Sequence, residues 1–193
     1  IDTSRRIIDP HHHFFKDTEH FPDYDLDMLW ADTATHKVEK TVYLQCWEGY
    51  RQDGPEHLQC VGETEGVAAI AARAAQRPQA AQIGAMMGEA DLRHPRAREV
   101  LEAHCAASPL FRGIRQIVAW DESSEVLFIM DGVSHRNVYG EKDFRAGFKV
   151  LTDMGLRFDA WHYHPQTPHL TALARDFPDT PIVLDHLGTQ VGI

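Results

Sequence analysis

The chain has 193 residues, of which 43% are hydrophobic and 25% charged, a composition typical of a soluble globular protein. Its net charge of -10 at pH 7 would repel a phosphate backbone, and no basic cluster with interleaved aromatic residues offsets it. No segment approaches the roughly 20 apolar residues that a membrane-spanning helix needs, and the first residues lack the pattern of a signal peptide. We therefore expect a protein that acts on a small molecule, with neither a nucleic-acid nor a membrane partner.

The three cysteines, Cys46, Cys60 and Cys105, form no C-x-x-C pair, and their odd number argues against a disulfide framework. Reduced thiols of this kind predict a cytoplasmic location. No cysteine stands in an evident activating context and no G-x-S-x-G motif is present, so nucleophilic thiol or serine chemistry is not favoured. The 13 histidines are unusual, because imidazole both binds metals and titrates near neutrality.

Short runs rich in β-branched residues predict six strands, and apolar residues at helical spacing predict helices at 67–74, 100–104, 144–151 and 170–177. In chain order, the predicted strands are Arg6–Asp9, Thr41–Leu44, Gln82–Met86, Gly113–Val118, Leu156–Asp159 and Pro181–Leu184. The last strand is taken to continue to Leu187.

Strands that alternate with helices indicate a parallel sheet covered by helices, either open or closed into a barrel. No G-x-G-x-x-G motif follows the first strand and no Walker loop is present, so the nucleotide-binding markers of open sheets are missing. A complete eight-stranded barrel usually needs about 250 residues. We therefore expect an α/β fold of the (β/α)8 TIM-barrel type, with residues 1–193 as a single domain that holds about the first six β/α units and is incomplete at its C-terminus.

Two polar segments interrupt the alternation, residues 48–62 and 121–141. Both follow the C-terminal ends of predicted strands, where barrel enzymes carry their substrate-selecting loops. A plain surface insertion is an equal alternative for each segment.

The first strand ends in the sequence Asp9-Pro10-His11-His12-His13. Alternate strand residues share a face, so His11 and His13 project in one direction and His12 in the other. Two imidazoles at this spacing can converge on one zinc ion. The motif alone is weak evidence, but its position at the C-terminal end of a strand, where barrel active sites lie, strengthens it.

The sixth strand ends in Asp185-His186-Leu187-Gly188, which makes His186 a candidate third ligand at the same end of the barrel. Strand alternation turns Asp185 to the opposite face and suggests a structural role for it. A core histidine bonded to a backbone carbonyl is the alternative for His186. Hydrolytic zinc sites use three protein ligands and leave one position for water.

The fifth strand runs into Trp161-His162-Tyr163-His164-Pro165-Gln166, which we expect to form part of the pocket wall. Alternation places His162 and His164 on one face and Trp161 and Tyr163 on the other, without deciding which face looks inward. His164 is a candidate catalytic residue and Trp161 a candidate substrate-binding residue.

Arg115 is a charged residue inside an apolar strand, where it needs a partner or a water-filled interior. A substrate carboxylate or carbonyl would serve as that partner. A structural ion pair with an acidic neighbour such as Asp159 is an equal alternative.

Together these motifs resemble the amidohydrolase-2 family of TIM-barrel metal-dependent hydrolases, over the chain from about Arg5 to its end. The His-Pro-Gln and Asp-His-Leu-Gly stretches are the more specific signals. Members include lactonases that act on sugar lactones and on 2-pyrone-4,6-dicarboxylate, and related branches contain decarboxylases. The resemblance rests on Ile8–His13, Gly113–Arg115, Phe158–Trp161, Tyr163–Gln166 and Val183–Gly188.

The resemblance implies that His11, His13 and His186 bind a divalent metal, zinc first and manganese as an alternative, and that Arg115 contacts substrate. Some lactonases of this group are thought to work without a bound metal, so metal-independent catalysis stays open. The eighth strand of the family supplies an aspartate that activates water. Because the chain reaches Ile193 before a seventh strand, no residue can be assigned that role.

The sequence thus predicts a metal-dependent hydrolase that opens a lactone or related cyclic ester of a small carboxylated or sugar-derived substrate by attack of activated water. His186 and His164 are its predicted acid-base residues. The alternatives are a decarboxylase of an aromatic or unsaturated acid on the same scaffold, and an incomplete, non-catalytic fragment. A homo-oligomer is compatible with the sequence.

Overall fold

The computed structural model describes residues 3–16, 19, 21–123, 125–126 and 135–191. The chain divides into two compact units. Unit 1 comprises Ile1–Gly88 with Glu102–Arg112, and unit 2 comprises Glu89–Leu101 with Gly113–Ile193. The prediction of a single domain over 1–193 stays a prediction.

Unit 1 contains three parallel strands that pair in chain order, as their apolar runs predicted. The strands are β1 (Arg6–His12), β2 (Lys37–Leu44) and β3 (Gln82–Gly88). The helices that follow the first two strands are α1 (Leu26–Thr33) and α2 (Val61–Ala74), and residues Glu56–Leu58 form a 3-10 turn within the 48–62 segment.

Helix α1 was not predicted from the sequence. It begins where the side chain of Asp25 accepts the N–H of Met28 at 3.0 Å, which satisfies one of the open donors of the first turn. The helix has eight residues, and only Leu26 and Leu29 of them are buried. An apolar pattern this short gives almost no periodic signal in the sequence. The helix therefore depends on its N-terminal cap and on packing against its neighbours.

Unit 2 contains the other three strands, again parallel and in chain order. The strands are β4 (Phe111–Ile117, whose first two residues belong to unit 1), β5 (Arg157–Trp161) and β6 (Ile182–Leu184). The helices are α3 (Ala97–Ala107, which continues into unit 1), α4 (Lys142–Asp153) and α5 (Thr167–Asp176), with 3-10 turns at Val138–Gly140 and His164–Gln166.

The core of unit 2 is aromatic. Phe144 and Phe148 of α4 pack at ring distances of 6.0 and 5.3 Å on Phe158 of β5, and all three side chains are fully buried. Gly147 lies against the carbonyl of Leu92, and a Cβ there would stand 2.0 Å from that oxygen. Only glycine allows this close approach of α4.

All six strands predicted from the sequence are present, and four of the five helices between them, α2 to α5, overlap the four predicted segments. The last strand differs: it ends at Leu184 and does not continue to Leu187. Within the described ranges, no helix has the length and hydrophobicity needed to cross a bilayer. Of the 121–141 segment, residues 124 and 127–134 lie outside the described residues.

Candidate functional site

The end of β1 brings His11 and His13 together. Their Nε2 atoms lie 3.0 Å apart and their rings are nearly perpendicular. His13 Nδ1 lies 2.8 Å from the carbonyl oxygen of Leu44. Because a carbonyl only accepts, Nδ1 carries the proton and Nε2 of the neutral ring keeps its lone pair toward His11.

His12 faces the other way, as strand alternation predicts. Its side chain is buried against Phe14 and Tyr43, and its Nε2 contacts the hydroxyl of Thr41 at 2.9 Å. Burial lowers the pKa of His12 to about 4. The ring is therefore neutral near pH 7, and its surroundings are those of a core residue.

In unit 2, Arg115 of β4 is buried and pairs with Asp185. Its Nε and Nη2 donate to Asp185 Oδ2 at 2.8 and 2.7 Å. The guanidinium also lies 5.0 Å from the ring centre of Trp161, within the range of a cation–π contact. The structural ion pair considered from the sequence is therefore present, with Asp185 as an acidic partner.

Asp185 lies closer to the candidate site than the sequence predicted. Alternation would have turned it away from His186, but the strand has ended at Leu184, and Asp185 Oδ1 lies 3.6 Å from His186 Nε2. Residues His186, Leu187, Gly188 and Thr189 all have positive φ, between 41° and 78°. Left-handed backbone at three non-glycine residues among four consecutive positions is strained, and such strain concentrates at functional sites.

Trp161 and His164 lie in different surroundings. The Trp161 ring is half-buried 6.1 Å from that of His186, and its indole N–H has no acceptor among the described residues. His164 is exposed at the start of a 3-10 turn, where its Nδ1 accepts the N–H of Val191 at 3.3 Å. In the described part of the chain, no hydrogen bond or ring contact joins His164 to the other predicted site residues.

His162 is fully buried in unit 2 and bonded on both ring nitrogens. Nδ1 contacts the hydroxyl of Tyr139, and Nε2 that of Thr167, each at 3.1 Å. Burial lowers the pKa of His162 from 6.5 to about 4. Between these values the unfolded chain binds more protons than the folded one, so the stabilisation from the neutral ring is complete above about pH 6.5 and is lost as the pH falls toward about 4.

We therefore expect the free energy of unfolding to drop by about 2 kcal/mol between about pH 7 and pH 5 through His162 alone. The variant His162→Gln keeps hydrogen-bonding capacity without a titratable ring and should lose this part of the pH dependence. Urea unfolding at several pH values measures it, with His169→Gln on α5 as the matched control. If the free energy of unfolding of His162→Gln depends on pH as steeply as that of the wild type, the prediction is contradicted.

Comparison with known proteins adds the following. An uncharacterised protein of Sinorhizobium fredii, y4mH, is 28% identical over 205 residues, which cover 96% of this chain and 63% of that protein. Two crystal structures of an amidohydrolase from Burkholderia multivorans, one with bound zinc and one with bound HEPES, align with 94% of the chain at 21% identity and TM-scores of 0.67 and 0.66. No protein-family profile matches the chain.

The chain has the amidohydrolase fold. Its six parallel strands and their helices form part of a TIM barrel, as the sequence predicted. A crystal structure of a probable 2-pyrone-4,6-dicarboxylic acid hydrolase from Acinetobacter baumannii, with citric acid bound, aligns with 94% of the chain and covers 58% of that protein, at 14% identity and a TM-score of 0.54. The chain spans 58% of the zinc-bound Burkholderia amidohydrolase and 63% of the Sinorhizobium protein.

Proposed function

We propose that the protein is a metal-dependent hydrolase that opens a lactone or related cyclic ester of a small carboxylated or sugar-derived substrate. The observation that carries the metal dependence is the pair of Nε2 atoms of His11 and His13, 3.0 Å apart, with the tautomer of His13 set by the carbonyl of Leu44. The lactone is proposed from the likeness to a probable pyrone-dicarboxylic acid hydrolase.

The histidine pair fits a divalent metal ion. Two nitrogens that each bind zinc at 2.0 to 2.1 Å in tetrahedral geometry stand about 3.3 Å apart, close to the separation of the two Nε2 atoms. The Nδ1 bond of His13 to a backbone carbonyl is the outer contact that metal-binding histidines usually make. The zinc bound by the Burkholderia amidohydrolase supports zinc as the metal. We propose His11 and His13 as its ligands; His186, the third ligand expected from the sequence, belongs to unit 2 and stays a prediction.

A bound divalent metal would supply a hydroxide nucleophile near neutral pH by lowering the pKa of water to about 7. The residues of the chain would prepare the site for it. His186 Nε2 lies 3.5 Å from Arg115 Nη2, and because a guanidinium only donates, Nε2 is the unprotonated nitrogen of the neutral ring and its lone pair faces the guanidinium. A metal or a proton would take that lone pair in place of the Arg115 contact. His164, on the exposed side, is proposed as the second acid-base group.

The substrate is proposed to bind beside Arg115 and Trp161. A guanidinium has five N–H donors, so it can hold a carboxylate or a developing oxyanion while it remains paired with Asp185. The indole N–H of Trp161 is buried without an acceptor among the described residues, which costs about 1 to 3 kcal/mol. An oxygen of a carboxylated or hydroxylated substrate would satisfy it.

The experiment is a pair of substrate panels tested on the metal-loaded full-length protein. One panel contains sugar lactones and pyrone carboxylates, and the other contains aromatic and unsaturated acids. We expect ring opening in the first panel, recorded as proton release, and no CO2 from either. CO2 release from the acids would replace the proposal with the decarboxylase alternative.

The variant Trp161→Phe keeps an aromatic ring but removes the indole N–H. It should raise KM more than it lowers kcat.

A further inference from the structure

A second group of reactive side chains lies in unit 1, around Cys60. This residue precedes the first residue of the 14-residue helix α2, and its Sγ stands 3.7 Å from Nε2 of His104. The cysteine is partly exposed, whereas the histidine is fully buried. A thiol open to solvent on one side and backed by an imidazole on the other is the arrangement of an activated sulfur nucleophile.

The ring of His104 is held in place. Its Nδ1 contacts the hydroxyl of Thr64 at 2.8 Å, and its plane stacks on Phe111 at 4.9 Å. Gly88 lies so close to the other side of the ring that a Cβ there would stand 2.9 Å from Cε1. If Thr64 accepts from Nδ1, Nε2 can take the thiol proton, and if Thr64 donates, Nε2 donates to the thiolate. The first tautomer offers a base for the thiol proton, and the second offers a hydrogen bond that stabilises the thiolate.

The charges around Cys60 also favour the thiolate. The amide groups at the start of α2 carry a partial positive charge, and a thiolate at Cys60 would interact favourably with the Arg51 guanidinium. Arg51 is paired with Glu65 at 2.5 Å, and Glu65 also faces His104. The thiol of Cys60 can also donate to the carbonyl oxygen of His57, 3.7 Å from Sγ, a contact that only the protonated sulfur makes.

The other two cysteines have the opposite surroundings. Cys46 contacts the buried Tyr43 and Glu63, and burial raises its pKa to about 12. Cys105 is exposed, but partial desolvation and the neighbouring Glu102 raise its pKa. If solvent exposure alone set the reactivity, Cys105 would be the most reactive thiol. The chemical surroundings instead predict that Cys60 is the most reactive.

We propose that Cys60, paired with His104, is a reactive thiol that hydroperoxides oxidise. The thiolate sulfur attacks one oxygen of hydrogen peroxide, an S–O bond forms as the O–O bond breaks, and the hydroxide that leaves takes the proton held on His104. The products are a sulfenic acid and water, and the sulfur is oxidised by two electrons as the peroxide is reduced. This site is separate from the residues of the proposed hydrolase.

The test is site-resolved mass spectrometry of the wild-type protein after brief treatment with iodoacetamide at about pH 6.5, and in parallel with hydrogen peroxide and a sulfenic-acid trap. The thiolate is the reacting form, so the thiol with the larger ionised fraction at this pH reacts faster, although the gain is partly offset because a more acidic thiol gives a weaker nucleophile. We expect Cys60 to react about tenfold faster than Cys105 with both reagents. Equal rates, or a faster Cys105, would overturn the proposal.

His104→Asn tests the role of the imidazole and should slow the reaction of Cys60 about tenfold without changing that of Cys105. If circular dichroism shows that this variant is unfolded, the pH profile of alkylation in the wild-type protein decides. The midpoint for Cys60 should lie well below that for Cys105, and coinciding midpoints would refute activation. A folded His104→Asn protein with an unchanged Cys60 rate would do the same.

Discussion

If the protein is the metal-dependent hydrolase proposed above, the variant His11→Ala/His13→Ala is expected to bind no divalent metal and to hydrolyse its substrate at least about a thousandfold more slowly than the wild type. The two Nε2 atoms are 3.0 Å apart, so together they offer two ligands to one ion, and alanine offers none. Elemental analysis after gentle purification measures the metal, and initial rates on the best lactone measure the activity.

A matched control removes two histidines elsewhere. His36→Ala/His169→Ala should retain both metal and activity. His12→Asn probes the buried face of the same strand: it should reduce stability, because the ring contacts Phe14 and Tyr43, while the metal stays bound. Stoichiometric metal in the His11/His13 double variant would remove this pair from the metal site.

Breaking the buried pair of Arg115 and Asp185 is expected to have the largest effect on stability. Both side chains are about 95% or more buried, with N–O distances of 2.7 and 2.8 Å. Removing one partner leaves the other charge buried without its counterion, which typically costs 3 to 5 kcal/mol. Asp185→Asn and Arg115→Met should each lower the free energy of unfolding by about this amount, measured by urea denaturation.

The control for this prediction lies in the same strand. Arg112→Met removes a guanidinium whose hydrogen bonds, within the described residues, go to backbone carbonyls, so we expect a loss below about 1 kcal/mol. The double variant Arg115→Met/Asp185→Leu should recover much of the loss of the single variants, since no uncompensated charge remains. Additive losses in the double variant would contradict the importance of the pair.

The strand positions and the histidine pair followed from local sequence. Each strand is a short apolar run, and the alternation of side chains within β1 places His11 and His13 on one face and His12 on the other. Such patterns depend on neighbours one to four residues away, which the sequence displays directly. The parallel order of the strands followed from the helices between them.

The surroundings of the candidate residues beyond β1 were decided by tertiary structure. Alternation failed after Trp161 and after Leu184, because the chain leaves each strand there and enters a turn. This put His164 on the exposed side and brought Asp185 close to the ring of His186.

Contacts between residues far apart in the chain could not be predicted from the sequence for a related reason. Arg115 and Asp185 are 70 residues apart, and Cys60 and His104 are 44 apart. No local period links such residues, since only the folding of several strands and helices makes them neighbours. The sequence therefore determined which elements form and which pair of histidines shares a face, and tertiary packing decided which charges pair and which thiol has an imidazole beside it.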